Sequence, residues 1–225
     1  HYKGDGANFI SRRGDEYLNI WPVYDWQKIP GTTVLQEPEV PPPSEIRKDG
    51  LTSFVGAVTD GMYGAAGFDF ISPHDFIKAR KSWFFFDKEY VCLGAGIESS
   101  SPHPVATTLN QSLLKGEVTV NGPDGVIELE RGEHFLEGIQ WIHHDGVGYL
   151  FPEPADLHLS NRAEKGSWYD ISKQWSTSRE EVEKEVFKVW LDHGARPQGR
   201  HGGLNHRFTE ARDVTYQYVV VPAVD

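Results

Sequence analysis

Along most of the chain, apolar residues recur at every second position, the period of a half-buried strand and not of a helix. Val118 and Val120 flank Thr119, the turn run Asn121-Gly122-Pro123-Asp124-Gly125 follows, and Val126-Ile127-Glu128-Leu129 resumes the pattern, which predicts a β-hairpin. Trp83 to Leu93 predicts two strands around a tight Asp87-Lys88 turn, and Gln140 to His143 with Gly148 to Phe151 predicts another hairpin around His144-Asp145-Gly146. Tyr216 to Val221 is a β-branched and aromatic run that stops at Pro222. Strands spaced roughly eight to twelve residues apart, with turn residues between them, predict a sandwich or barrel.

One segment competes as a helix. Ser178-Arg179-Glu180-Glu181 has the form of a capping box, and Val182 and Val186 then share a helical face, which predicts one or two turns to about Lys184. From there Phe187, Val189 and Leu191 alternate with Lys188, Trp190 and Asp192, a strand to His193. Residues 36–50 contain three consecutive prolines, which lack ladder donors, and read as loop; residues 194–213 read as a long exposed connection. No repeat or shift in composition divides the 225 residues, and the opening turn Gly4-Asp5-Gly6 reads as the start of a piece of something longer.

Composition narrows the chemistry. Aromatics make up 12% of the chain, with seven Trp, which removes low-complexity disorder. A formal net charge of −11 argues against general attraction to nucleic acid or to an anionic membrane, and no apolar run reaches the roughly 20 residues of a membrane helix. With one cysteine, Cys92, no intrachain disulfide or CxxC metal knuckle is available; mid-strand, it reads as a small buried hydrophobe. HExxH, Walker A, GxSxG and GxGxxG motifs are absent. Asn110-Gln111-Ser112 is a sequon too short to carry weight. His143 and His144, adjacent in a strand, point to opposite faces and cannot easily converge on one ion. His193 reads as a strand-end residue bonded locally, His201 and His206 as solvated. The Trp83–Phe86 run reads as core or sheet-to-sheet packing in preference to a sugar platform.

The most unusual stretch is residues 4–34. It mixes arginines, carboxylates, Asn19 and tryptophans as a plain core strand would not. Arg12 and Arg13 have the forked donors that bind a carboxylate or sulfate, Glu16 can orient a cationic partner, Asn19 can donate an amide proton, and Trp21 and Trp26 can stack on sugar rings. The plainer alternative is a polar strand-and-turn region whose charges pair with each other.

The run Arg13-Gly14-Asp15-Glu16-Tyr17-Leu18-Asn19, followed by Trp21-Pro22, Asp25-Trp26 and Ile29-Pro30-Gly31-Thr32-Thr33, resembles the central β domain of polysaccharide lyase family eight, which holds chondroitin AC, hyaluronate and xanthan lyases. The order continues with Asp60-Gly61-Met62-Tyr63-Gly64, Lys81-Ser82-Trp83-Phe84-Phe85-Phe86-Asp87, Leu93-Gly94-Ala95-Gly96-Ile97 and Thr107-Thr108-Leu109-Asn110-Gln111. Asp145-Gly146-Val147-Gly148-Tyr149, Leu191-Asp192-His193-Gly194 and Tyr216 to Pro222 complete it.

The resemblance implies an all-β fold, an antiparallel β-sandwich (supersandwich, galactose-mutarotase-like) with little helix. It implies that residues 1–225 are one central domain lacking its N-terminal helical α/α toroid and its C-terminal β domain. It implies a lyase that cleaves acidic, uronic-acid-containing polysaccharides by β-elimination, exported to the periplasm or medium. Most of the proton-moving residues would sit on the helical partner, so the isolated chain would have little turnover. By the same resemblance Glu16 is the acidic member of the catalytic set, orienting Arg and His partners, and Asn19 lies at the cleft. Asp60 and Asp69 match acidic positions that help hold calcium, though Val58 and Phe70 depart from the pattern; as residues alone they read more readily as turn aspartates capping their own backbone. A non-catalytic carbohydrate-binding or scaffolding sandwich is the competing reading. A glycoside hydrolase ranks last, because Glu16 has no evident carboxylate partner.

Overall fold

The computed structural model describes residues 2–41, 47, 49–198 and 214–224. Its strands are β1 Thr33–Leu35, β2 Val55–Thr59, β3 Gly64–Ile71, β4 Lys78–Phe85, β5 Tyr90–Glu98, β6 Pro104–Leu113, β7 Val118–Gly122, β8 Gly125–Glu128, β9 Glu133–His144, β10 Val147–Gly166, β11 Val182–Ala195 and β12 Tyr216–Pro222. They form one antiparallel sheet in the order β1-β6-β11-β10-β12-β5-β4-β3-β2, with β9, β7 and β8 branching from β10. The hairpins expected from period-two patterning are present as β4–β5, β7–β8 and β9–β10.

A single sheet becomes a sandwich by curling, and one side chain shows that it does. β1 and β4 lie six steps apart along the sheet; flat, that is about 29 Å at the usual strand spacing. Yet the Lys81 ammonium of β4 donates to Thr33 Oγ1 of β1 at 3.2 Å. Between the apposed layers lies the main core, which includes Ile77, Cys92, Ile97, Leu109, Ile142, Tyr149, Leu157, Phe187 and Tyr218. Gly94 belongs to this close packing, because a Cβ there would fall within the ring of Tyr216. Cys92 is buried, as its mid-strand position implies. β6 is buried on both faces. One faces the main core; over the other lies a second cluster of Tyr2, Ile20, Val23, Tyr24, Ile29, Val34 and Val186, formed largely by the N-terminal segment.

Four expectations change. The helix expected from Ser178 does not form: Ser178 Oγ instead accepts from Glu180 N at 3.2 Å, and Val182 pairs with Gly166, so ladder pairing along β10–β11 outweighs the local cap. The capping box of the fold is at Ser167 and Asp170, opening α1 Trp168–Ile171. In the run Trp83–Phe86, only Trp83 packs against the core, stacked on Phe68 at 5.9 Å; Phe84, Phe85 and Phe86 are exposed, because the β2–β4 end of the sheet is uncovered. His193 lies inside β11 and bonds across strands, its Nε2 2.8 Å from Thr107 Oγ1. β11 runs on to Ala195, where a connection was expected to begin. His201, His206, most of the 194–213 connection and residues 42–46 and 48 of the Pro-rich stretch lie outside the described residues. The described remainder of 36–50 contains no strand.

Lys81 is fully buried and donates to three acceptors, Asp5 O at 3.0 Å, Gly31 O at 2.5 Å and Thr33 Oγ1. Burial lowers its pKa to about 7, opposed by the Asp5 carboxylate. Lys81→Met leaves the Asp5 and Gly31 carbonyls without that donor, while Thr33 keeps its bond to Thr107; we expect a loss of about 1–3 kcal/mol, read by denaturant unfolding, with faster amide exchange across residues 5–31. An unchanged unfolding free energy contradicts the clamp. A second expectation concerns acid. Burial lowers His144 to about 3 and His193 to about 4 from an ordinary 6.5, so the folded state holds both neutral while the unfolded chain takes up protons. Their contribution is complete above pH ~6.5 and is lost as pH falls below it, until the folded rings also take up protons near 4 and then near 3. Asp5, raised to about 7 mainly by burial, acts in the opposite sense over the same range, so the test is a comparison: thermal midpoints from pH 7 to 4 decline less in His193→Gln than in the unaltered chain, and identical profiles argue against a buried neutral imidazole.

Candidate active-site wall

The excursion from Asp5 to Gly31 carries the residues singled out in the sequence. Its neck is closed by Lys81 and by Asn8 N donating to Pro30 O at 2.7 Å. β6 is the rail it is mounted on. Leu113 N donates to Glu16 O at 2.8 Å. Tyr17 Oη donates to Asn110 Oδ1 at 3.1 Å while accepting from Ile10 N at 3.0 Å. Gln111 accepts from Asp25 N at 2.9 Å and donates to Asp25 O and Lys28 O at 2.9 and 2.8 Å. Asn110 and Gln111 are buried, so the sequon residue is a tether.

Glu16 is the hub of the loop. Its Oε1 accepts from Arg12 N at 2.8 Å and Arg13 N at 2.6 Å; its Oε2 accepts from Gly14 N at 2.9 Å and from Ser11 Oγ at 3.4 Å. An ionised carboxylate has about four acceptor positions, and this loop fills them. Burial pushes the carboxyl up, but the backbone N–H groups of Arg13, Arg12 and Gly14 outweigh it and hold the pKa at about 2. The arginines act on it through their backbone N–H groups. Glu16 is only 7% exposed, whereas Asn19, in a left-handed conformation at φ 55°, is exposed beside it.

Both arginines have partners in the fold. Both reach across to the β9–β10 turn. Arg13 Nη2 lies 2.5 Å from both carboxylate oxygens of Asp145, and Arg12 Nη1 donates to the Asp145 carbonyl. Asp15 lies 3.7 Å from Arg13 and 2.5 Å from Lys115, whose backbone N–H donates to the buried His144 ring at 3.1 Å. Trp21 and Trp26 are likewise not open platforms: they stack on each other at 5.9 Å, with Tyr24 edge-on to both, over the second cluster.

Asp60 and Asp69 do not meet. Asp60 closes its own turn, accepting from Met62 N at 2.9 Å and Tyr63 N at 2.7 Å. Asp69 lies five residues past Gly64 along β3, about 17 Å of strand. A hard cation needs several oxygens at once, and no set of three or more His, Cys, Asp or Glu side chains gathers for a metal among the described residues. The pair does not fit calcium.

Across residues 1–225 the chain matches the family model described as polysaccharide lyase family 8, super-sandwich domain. The chain belongs to polysaccharide lyase family 8. It is 41% identical to a chondroitinase-AC of Pedobacter heparinus over 226 residues, which is 100% of this chain and 29% of that protein. It is 32% identical to a xanthan lyase of Bacillus sp. strain GL1, over 90% of this chain and 23% of that protein. A structure of a chondroitinase AC lyase solved with oligosaccharides superposes with a TM-score of 0.83 at 40% identity, covering 98% of this chain and 30% of that one. The chain thus spans less than a third of the length of these relatives. Within this family-8 domain, sequence reasoning missed Asp145, Lys115, Asn110 and Gln111. A signal existed: Asn110 and Gln111 are polar residues mid-strand, where β-propensity disfavours them unless something bonds there.

Glu16→Gln places an amide NH2 against N–H donors. We expect faster exchange at the Arg12, Arg13 and Gly14 amides and a loss of about 1–3 kcal/mol of stability, with the sheet intact. Unaltered exchange at those three amides argues against the nest.

Proposed function

We propose that the full-length protein carrying this chain is a polysaccharide lyase acting on uronic-acid-containing glycans of the chondroitin or hyaluronan type by β-elimination, and that this chain supplies one wall of the cleft. The observation that carries the reading is the Ser11–Asn19 loop. It is braced from below by Glu16 and β6 and from the side by Asp145, and it holds Arg12 and Asn19 exposed. The 41% identity to a chondroitinase-AC along the whole chain supports the same reading.

The chemistry sets what the loop does. Removing the C5 proton of a uronate requires neutralising the developing enolate-like charge, a positioned base, and a proton for the departing O4. Asn19 and Arg12 present N–H donors of the kind that neutralise a carboxylate. Glu16 keeps the backbone beneath them fixed and stays ionised, so it is a positioning residue. The base and acid belong, on this reading, to a helical partner domain of the same polypeptide. A polymer substrate places the whole protein in the periplasm or outside the cell.

The test is ultraviolet detection of unsaturated uronides when the full-length gene product is given chondroitin, hyaluronan and a neutral glycan. We expect product from the acidic polymers alone. Glycan binding without unsaturated product points instead to a non-catalytic carbohydrate-binding sandwich.

A further inference from the structure

The neighbouring arginines of the loop are not electrostatically equivalent. Arg13 is matched twice, by the bidentate Asp145 carboxylate at 2.5 Å and by Asp15 at 3.7 Å, and these charges raise its pKa above the ordinary arginine value. Lys115, the other nearby cation, is matched by Asp15 at 2.5 Å. Glu16 has its four acceptor positions filled by Ser11, Arg12, Arg13 and Gly14 and lies under the loop. Arg12 alone has a neutral partner for its guanidinium: one N–H donates to the Asp145 carbonyl, and no carboxylate lies within ion-pair distance among the described residues. It sits over Gly146, where a Cβ would fall inside the guanidinium. Asp145 and Gly146 both have positive φ, 50° and 68°, the geometry of a two-residue Asp-Gly hairpin turn. The turn is held from behind by Ala223 N and Val224 N donating to Gly146 O at 2.8 and 3.0 Å.

We propose that Arg12 is the loop's one uncompensated cation for an acidic sugar, and that the Asp145–Gly146 turn makes it so by taking up the charge of Arg13 and seating Arg12 on a carbonyl. This deepens the lyase reading and rests on it for the ligand class. Arg12 contacts the glycan anion; Arg13 and Asp145 are positioning residues. The turn explains how a chain of net charge −11 offers a local site for a polyanion: Arg13 is paired with Asp145 and Lys115 with Asp15, the Glu16 charge is held under the loop by backbone N–H groups, and one exposed guanidinium with unengaged donors remains.

The experiment measures binding of a chondroitin oligosaccharide to the full-length protein across a salt series, alongside lyase turnover. Each cation–anion contact adds to the slope of log affinity against log salt, by less than the near-unit value of duplex DNA because the charge density of the glycan is lower. We expect Arg12→Gln to reduce that slope measurably and to raise KM more than it lowers kcat. Arg12→Lys keeps the slope and loses part of the affinity. Arg13→Gln and Asp145→Asn loosen the loop, seen as faster amide exchange at residues 11–16, with Arg13→Gln leaving the slope as in the wild type. Equal slope losses for Arg12→Gln and Arg13→Gln overturn the assignment, as does an Arg12→Gln slope identical to wild type in a protein whose circular dichroism is unchanged. Arg12-dependent binding with no unsaturated product from the wild type removes the lyase reading and sustains this one. Wild type that binds no acidic oligosaccharide overturns both.

Discussion

A single buried ammonium holds this architecture to its purpose. Lys81 joins β4 to the carbonyls of Asp5 and Gly31, the two feet of the excursion that carries the site, and to Thr33 on the first strand. Two constraints are met at once: the curled sheet is fastened between strands six steps apart, and the excursion is closed at its neck so that it lies on β6 and does not trail into solvent. An ammonium has three N–H donors, and here each has an acceptor, which offsets part of the desolvation cost that lowers its pKa to about 7. Hydrophobic contact alone does not specify which part of the N-terminal segment meets which end of the sheet. A directional, three-bonded charge does. Thr33, Thr107 and His193 continue the line by hydrogen bonds of 2.9 and 2.8 Å, carrying polar order into the adjoining strands.

What the sequence revealed followed from what is local. Period-two patterning located the β7–β8 and β9–β10 hairpins because turn chemistry such as Asp145-Gly146 acts over two residues. It misread Ser178 because a capping box is a local preference, and the long β10–β11 ladder supplies more hydrogen bonds than one cap. The candidate residues between Arg12 and Trp26 fall on one excursion, but their partners were hidden. Arg13 meets Asp145 132 positions away, and no spacing rule connects them. The same gap explains Trp21 and Trp26, which composition offered as sugar platforms and the fold uses as a lid over Val23 and Val186. It explains Asp60 and Asp69, which nine positions of sequence bring near each other and a β-hairpin separates.

Electrostatics in the loop follows a simple rule: carboxylates are satisfied by backbone, by arginine or, for Asp15, by Lys115, and the cation that remains defines what the surface attracts. The Glu16 nest is the stronger half of that rule. Three backbone N–H groups aimed at one carboxylate make it acceptor-saturated and ionised at any physiological pH. The loop is thereby held from beneath at Glu16 while Ser11 to Asp15 and Asn19 are exposed above it.

That bracing also bears on where the proton is moved. A base for an unactivated C–H must have a pKa near working pH and a vacant lone pair within reach. Glu16 fails on both counts, at about 2 and with four donors already upon it. Tyr17, the next ionisable group on the excursion, is bonded to Ile10 and Asn110, and burial raises its pKa far above neutral. His144 is buried, accepts from Lys115 and is lowered to about 3. Glu16, Tyr17 and His144 are thus each fixed in one protonation state by the structure they support. On the lyase reading, a surface built in this way holds and neutralises the sugar. The group that takes the proton is then one that this domain does not have to stabilise, brought to the loop by another part of the polypeptide.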